Sequence, residues 1–237
     1  NLLLPTSKIC SQQETEEATR QYAVAVRFQN LESYDLAAAE WQKFLQQFPN
    51  DPRAAKARFN LGVCHYLDNQ FEQAQAALQA LLEKSPDFDA ADAAYLYLGA
   101  ARFGQARAGK TAMFQTAGDA FSTLISKYPK SKYLPDALYY LGECLYLEGK
   151  KEEAIPAYAR LVADYPDHKF AVDARYAMGV AQEQTGKTET AGKTYEEFLA
   201  KFADHPLAGE VKMRRAETLF AQGAYAVQAL RQDQRSA

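Results

Sequence analysis

Residues 141–166 decide the fold and read LGECLYLEGKKEEAIPAYARLVADYP. The stretch opens on Leu-Gly, is interrupted by Gly149, and carries a small and an aromatic residue one helical turn apart at Ala154 and Tyr158. It closes on Tyr-Pro. The same order of residue types recurs along the chain, and a fixed internal period of this kind indicates a protein built from one repeated supersecondary unit.

The repeat can be followed position by position through most of the sequence. A small residue recurs with steps of 37, 43, 37 and 37, and a large residue always stands four positions later. A glycine after Leu or Met, and a closing proline, keep the same steps. The shared positions are the small residues Ala37, Ala74, Ala117, Ala154 and Ala191, the large residues Trp41, Leu78, Phe121, Tyr158 and Tyr195, and the glycines Gly62, Gly99, Gly142 and Gly179.

This pattern resembles the tetratricopeptide repeat (TPR), a helix-turn-helix unit marked by Leu-Gly, Ala-x3-aromatic and a closing proline. The resemblance covers roughly residues 13–235. The repeat has 37 residues rather than about 34, and the family's first-helix Trp and Tyr are replaced by Arg58 and His65, or by Arg175 and Gln182. Long repeats that end in Tyr-Pro are similar to the TPR modules of bacterial envelope proteins, namely the β-barrel assembly lipoprotein and the periplasmic protein that works with the Tol–Pal system.

The resemblance implies an all-α fold, a right-handed superhelical TPR-like solenoid of antiparallel helix pairs. We predict a partly disordered leader over residues 1–12 and a single solenoid over residues 13–237. Its repeats span approximately residues 13–49, 50–86, 87–129, 130–166 and 167–203, with a partial repeat over 204–237. The first helix is expected over 13–31, and the last, incomplete pair over 206–221 and 224–234. The predicted hairpin turns lie at Asn69, Gly149, Gly186 and Gly223.

The third repeat is six residues longer than the others. Its turn glycine, Gly109, follows Gly99 by ten residues, whereas Gly149 follows Gly142 by seven. Its small residue follows the turn by eight residues instead of five. We therefore predict three extra residues in each helix, which would raise this hairpin by about 4.5 Å at ~1.5 Å per residue. The longer hairpin is either a contact point for a partner or a neutral length variant.

Composition and charge argue against several functional classes. The 48% hydrophobic and 24% charged content is ordinary for a folded soluble protein. The net charge of −3 and the lack of a basic stripe argue against a nucleic-acid partner. No run of 18 apolar residues predicts a transmembrane segment. Residues 1–4 are apolar but too short for a signal peptide, and we interpret them as the remnant of a removed one or as a flexible leader.

The three cysteines do not predict a disulfide. Cys64 and Cys144 each follow a repeat glycine by two residues, but in repeats that are two apart, so their Cα atoms should lie beyond the ~7 Å limit for a bridge. We expect both to be buried packing thiols. Cys10 is a poor site for lipidation because the residues before it, Thr-Ser-Lys-Ile, are not a small, apolar lead-in.

One motif resembles an enzyme signature. Residues 104–111, GQARAGKT, match the phosphate-binding pattern GxxxxGK[ST], which requires a strand leading into the loop. Here the preceding residues lie inside a predicted repeat helix, and Gly-Lys-Thr recurs at 186–188 in a matching turn. We interpret both as hairpin turns. His65, His168 and His205 do not converge as a metal site would require. We therefore predict no cofactor, no metal and no enzymatic activity.

The remaining candidate site is a surface. In the TPR family the first helix of each pair lines a concave side on which peptides or helices bind. Three residues before and four after each repeat glycine, largely aromatic residues share one helix face. The candidate partner-binding residues are Tyr22, Phe59, Tyr66, Phe103, Tyr139, Tyr146 and Tyr176. Interfaces favour such aromatic, partly polar surfaces. In the alternative interpretation, half of these rings pack between helices.

We therefore predict a scaffold or adaptor that binds a protein or peptide segment in a concave, aromatic-rich groove. The expected location is the periplasm or cell envelope, in an envelope or outer-membrane complex, and the alternative location is the cytoplasm. The alternative function is a non-binding structural or self-assembly module of a larger repeat protein.

Overall fold

The computed structural model describes the backbone of residues 6–236 and the side chains of residues 15–223. Eleven α-helices and no strand occupy this described part of the chain, which confirms the all-α class. In chain order they are α1 (Thr6–Asn30), α2 (Tyr34–Gln47), α3 (Ala54–Leu67), α4 (Phe71–Lys84), α5 (Ala91–Arg107), α6 (Met113–Lys127), α7 (Leu134–Leu147), α8 (Lys151–Asp164), α9 (Ala171–Gln184), α10 (Thr188–Lys201) and α11 (Ala208–Ser236).

Consecutive helices pack on one another as the predicted repeats require. Helices α1 and α2, α3 and α4, α7 and α8, and α9 and α10 form pairs, and the second helix of each pair also contacts the helix that follows it. The chain divides into two compact units, Asn1–Ala120 and Phe121–Ala237. They are called the N-terminal unit and the C-terminal unit below, and each is described by itself.

The repeat glycine makes room for the large residue of its own repeat. A Cβ added to Gly142 would lie 2.4 Å from Tyr158 Cε1, and one added to Gly179 would lie 2.4 Å from Tyr195 Cε1. Real Cβ atoms essentially never come within 3.0 Å of such a neighbour. Both tyrosines are fully buried. The Leu-Gly and aromatic signatures are therefore the two halves of one packing contact, which recurs between Gly62 and Leu78.

The polar residues at the family's Trp and Tyr positions in the fifth repeat are buried, and each has a polar partner. The Arg175 side chain, 8% exposed, forms an ion pair with Glu197. The Thr194 hydroxyl donates a hydrogen bond of 2.7 Å to Gln182 Oε1. Buried polar groups require partners of this kind, so α9 and α10 are joined by polar contacts where the family usually has aromatic ones.

Left-handed residues close the hairpins at three of the four predicted turns. Gly149 and Gly186 have φ of 82° and 75°, and Asn69 has φ of 59°. Glycine adopts this conformation without steric cost, and asparagine tolerates it better than most residues. The turn of the longer third repeat is made by Gly109, with φ of 110°.

The predicted turn at Gly223 is wrong. Gly223 lies inside α11, which continues as one helix from Ala208 to Ser236, so residues 224–234 are not a separate partner helix. An isolated glycine costs a helix only about 1 kcal/mol, and no proline follows to end it. At the other end, α1 begins at Thr6 and not at residue 13. The structure does not describe residues 1–5, which include the apolar residues 1–4, and it does not describe the Cys10 side chain.

The six extra residues of the third repeat are not shared equally between its helices. Helix α5 has 17 residues, compared with 14 in α7, so the predicted three-residue extension of the first helix is confirmed. Helix α6 has 15 residues and is longer than α8 by only one. The other two residues lengthen the turn, which spans residues 108–112.

Candidate partner-binding groove

Four of the seven predicted aromatic residues belong to the N-terminal unit, and all four are partly buried. Tyr22 packs edge-on against Trp41 at 4.7 Å between ring centroids and lies under the Arg53 guanidinium. Phe59 packs against the core around Leu78 and Leu81. These two rings therefore stabilise the helix pairs, as the alternative interpretation expected.

Phe59 and Tyr66 from α3 both contact Tyr97 from α5, at 6.1 Å and 5.4 Å between centroids. Phe103 lies against Phe114 at 5.6 Å. A cleft of about 710 Å³ in this unit includes Tyr22 but none of the other predicted residues. Phe59 and Tyr66 therefore meet at one ring, that of Tyr97, whereas Phe103 packs in a separate contact with Phe114.

The three predicted residues of the C-terminal unit do share one groove. Tyr139, Tyr146 and Tyr176 line a concave space of about 420 Å³. Helices α7 and α9 provide most of the lining. We call this space the tyrosine groove, and its lining residues are Tyr139, Glu143, Tyr146, Leu147, Tyr158, Asp173, Tyr176, Ala177, Val180, Gln184, Leu207 and Arg214.

Helical periodicity explains the two main walls of the tyrosine groove. On α7, Tyr139, Glu143 and Tyr146 recur at i, i+4 and i+7. On α9, Asp173, Ala177, Val180 and Gln184 recur at i, i+4, i+7 and i+11. Residues at these spacings lie on one face of a helix.

Hydrogen bonds hold two of the tyrosines in place. The Tyr146 hydroxyl on α7 donates to Gln184 Oε1 on α9 at 2.9 Å. The Tyr158 hydroxyl on α8 donates to Glu143 Oε1 on α7 at 2.7 Å. Because each bond joins different helices, the phenols are oriented before any partner arrives.

Tyr139 is the most structural of the three predicted residues. Its ring stacks on Phe170 with centroids 4.3 Å apart and planes 12° apart, and it also contacts Tyr158. Burial, followed by the nearby carboxylates of Glu143 and Asp173, raises the pKa of Tyr139 well above its ordinary value. Its phenol is therefore neutral at physiological pH.

The charges of the tyrosine groove are unevenly satisfied. Arg214 is held by two carboxylates, with Nη1 3.3 Å from Glu183 and Nε 3.1 Å from Glu210. The Tyr176 hydroxyl also donates to Glu210, and these hydrogen bonds from Tyr176 and Arg214 lower the pKa of Glu210. Asp173 forms no ion pair with any residue that the structure describes.

Comparison with protein families identifies the chain. Residues 14–145 match the YfiO family, described as outer membrane lipoprotein, which is more than half of the sequence. The chain belongs to the YfiO family. Residues 136–168 and 173–205 match the tetratricopeptide repeat, and the predicted resemblance is thereby confirmed. TPR families are typically non-enzymatic binding scaffolds, so membership supports a general role in protein interaction.

Solved TPR proteins share the fold of this YfiO-family chain. YrrB, a TPR protein with an unusual peptide-binding site, is 20% identical with a TM-score of 0.67, covering 88% of this chain and 98% of YrrB. A MamA structure is 23% identical with a TM-score of 0.65, and the match covers 81% of this chain and 97% of the MamA chain. MamA from Desulfovibrio magneticus RS-1 is 14% identical with a TM-score of 0.64, and the match covers 80% of this chain and 97% of that MamA chain. These identities show the fold alone. No curated protein matches the chain.

The phosphate-loop match is explained by packing in this YfiO-family protein. Gly104 lies inside α5, where an added Cβ would come within 2.8 Å of the Phe71 ring. Lys110 forms an ion pair of 2.6 Å with Glu72. No strand precedes these residues in the described region. The glycine, the turn and the lysine thus each have a structural role that needs no phosphate.

Two cysteines are buried and free, as predicted. Burial raises the pKa of the Cys64 thiol to about 11 and that of Cys144 to about 12. Within residues 15–223, no group of three His, Cys, Asp or Glu side chains is placed to hold a metal ion. None of the described helices is long and apolar enough to cross a membrane.

Sequence reasoning missed several residues of the tyrosine groove. The prediction used only the positions three residues before and four residues after each repeat glycine. Asp173, Ala177 and Gln184 lie one position or one helical turn away from those positions. The stripe on α9 could have been found by extending the helical period from Tyr176. Arg214 belongs to a different repeat and carries no local signal that would place it beside Tyr176.

Proposed function

We propose that this YfiO-family protein is a protein-interaction adaptor of the bacterial cell envelope that holds a segment of a partner protein in the tyrosine groove. The observation that carries the proposal is the convergence of Tyr139, Tyr146 and Tyr176 on one concave space. The periplasmic or envelope location rests on the family, whose members are described as outer membrane lipoproteins.

The groove has the properties of a protein-binding site. Tyrosine offers a large ring and a polar hydroxyl while losing little conformational entropy. A volume of about 420 Å³ accommodates a few side chains of an extended segment and falls within the usual range for binding pockets. The similar fold of YrrB, a TPR protein with an unusual peptide-binding site, is compatible with such a role.

The test is affinity capture from native cells, membranes included, with a variant that fills the groove. Ala177 lines the groove between Asp173 and Val180, so Ala177→Trp places an indole where a partner segment would lie. Tyr139 is left intact because it stacks on Phe170, and its removal would test stability instead. The matched control is Ala163→Trp, at an exposed position of α8 outside the groove.

We expect a partner that the parent and Ala163→Trp retain and that Ala177→Trp loses, with circular dichroism showing equal helicity for all three chains. Equal capture by Ala177→Trp would refute a groove-bound segment. The captured protein should be an envelope protein, and a cytosolic partner would contradict the proposed location.

A second candidate function, self-assembly, is favoured by one observation. The described part of α11 exposes Met213 at 56%, Leu219 at 50% and Phe220 at 81%. Met213 and Phe220 are seven positions apart and lie on one helix face, and exposed apolar residues of this kind can mark a contact between proteins. If this face mediates self-assembly, sedimentation velocity will show concentration-dependent oligomers that Phe220→Ser reduces to monomers. A parent chain that is monomeric at all concentrations would exclude this candidate.

A further inference from the structure

We infer that the tyrosine groove selects its partner segment through a basic side chain, Lys or Arg, seated among Asp173, Glu143 and the tyrosine rings. The inference rests on the proposed function and adds the chemical class of the ligand. It follows from which charges of the groove are already engaged and which are not.

The described lining of the groove contains two carboxylates and one cation. Arg214 is that cation, and Glu183 and Glu210 already hold it at 3.3 Å and 3.1 Å. Asp173 has no ion-pair partner among the described residues. Asp173 therefore places in the groove a negative charge that no described ion pair neutralises, and a positive side chain of a partner would complement it.

The tyrosine rings favour the same ligand. Aromatic faces attract cations within about 6 Å of the ring centroid. The groove already uses its rings in this way, since Lys151 Nζ lies 5.9 Å from the centre of Tyr146 and the Arg214 guanidinium lies 5.9 Å from that of Tyr176. A partner Lys or Arg can lay its apolar stem along a ring while its charged end reaches a carboxylate.

An acidic partner segment is disfavoured by the same arrangement. It would approach Asp173 and Glu143 directly, and like charges brought together without a counter-charge oppose binding. Arg214 offers an acidic side chain little net attraction, because Glu183 and Glu210 already neutralise its charge. A neutral apolar segment could fill the space but would leave Asp173 unpaired beside it.

The experiment begins with a random peptide library selected on the full chain. Peptides that also bind Ala177→Trp are discarded, so that those retained depend on the groove. We expect the retained peptides to share one Lys or Arg next to an apolar or aromatic residue. A retained peptide and its Lys→Gln or Arg→Gln counterpart are then measured by fluorescence anisotropy on the parent, on Asp173→Asn and on the control Asp167→Asn, an exposed residue outside the groove.

Asp173→Asn should weaken the basic peptide by about tenfold, the scale of one charge-assisted contact. Asp167→Asn should leave its affinity unchanged. Removing the peptide's charge should weaken binding to the parent by a similar factor but add little on Asp173→Asn, because the two changes remove the same contact. Affinity for the parent should also fall as salt rises, since screening shortens the reach of exposed charges.

Two outcomes would overturn the inference and can be told apart. Groove-dependent peptides that lack a basic residue, or that bind Asp173→Asn as well as the parent, refute the basic anchor and leave the proposed function intact. A selection that yields no peptide sensitive to Ala177→Trp refutes the groove as a binding site, and the inference falls with it.

Discussion

The contact between Gly142 and Tyr158 leads to a quantitative prediction, because the substitution Gly142→Ala adds one methyl group where there is no space for it. That methyl group would lie 2.4 Å from Cε1 and 2.7 Å from Cδ1 and Cζ of Tyr158, whereas ordinary contact begins at 3.4 Å. The ring must therefore move by roughly 1 Å. It has little freedom to do so, because it is fully buried and its hydroxyl is bonded to Glu143.

The expected cost follows from two opposing terms. Overpacking a well-packed core costs about 1–3 kcal/mol, and a rigid, hydrogen-bonded ring places this site near the upper end. Alanine is favoured over glycine in a helix interior by about 1 kcal/mol. Gly142→Ala should thus lower the free energy of unfolding by roughly 2 kcal/mol, measured by urea denaturation followed by circular dichroism.

Two further variants make the prediction refutable. Gly209→Ala, in α11 where an added Cβ meets nothing within 4 Å, should be neutral or slightly stabilising. In a Tyr158→Ala background, Gly142→Ala should lose its penalty, because the ring it displaces is gone. A Gly142→Ala chain as stable as the parent, or a penalty that persists without the Tyr158 ring, would show that the packing argument is wrong.

Three other predictions concern ionisation and ligands. Burial raises the pKa of the Tyr158 and Tyr195 phenols above 10.0, with a further contribution from Glu143 at Tyr158 and from the hydrogen bond to Glu183 at Tyr195. The stability that depends on the neutral phenols is therefore complete below pH 10 and is lost as the pH rises further. Absorbance titration should show both tyrosines ionising only when the protein unfolds at alkaline pH. In a Cys10→Ser background, Cys64 and Cys144 should react with a thiol reagent at pH 8 only after denaturation, since burial raises the pKa of both thiols; rapid labelling of the native chain would contradict this. Mg·ATP should leave the melting temperature unchanged, because Gly104 packs on Phe71 inside α5, and a reproducible increase would restore the nucleotide-binding interpretation.

Much of the fold could be predicted because the residues that recur in the sequence are the residues that touch. The repeat glycine and the large residue are 16 positions apart in the pairs Gly62/Leu78, Gly142/Tyr158 and Gly179/Tyr195, and the structure places the two residues of each pair in contact. The turns at Gly149 and Gly186 were also visible, because a positive φ restricts the choice of residue. Gly223 is also a glycine, but it lies inside helix α11 and has no positive φ. Sequence alone does not distinguish a glycine that ends a helix from one that lies within it.

The candidate site was only partly predictable. Periodicity identified the helix face that carries Tyr139 and Tyr146, but it could not say which neighbouring helix covers that face. Tyr22 therefore proved to pack beside Trp41, while Tyr146 lines an open groove. The charges were harder still, because Asp173 and Arg214 lie in different repeats and line the same groove only once the protein is folded.

The short separation between Gly142 and Tyr158 has a consequence for folding kinetics. Their contact closes a segment of only 16 residues, so little chain entropy is lost before the contact forms. Proteins dominated by such local contacts fold rapidly, and repeat arrays can nucleate at more than one place. Each hairpin can therefore close soon after its own residues become available, before the rest of the polypeptide has been made.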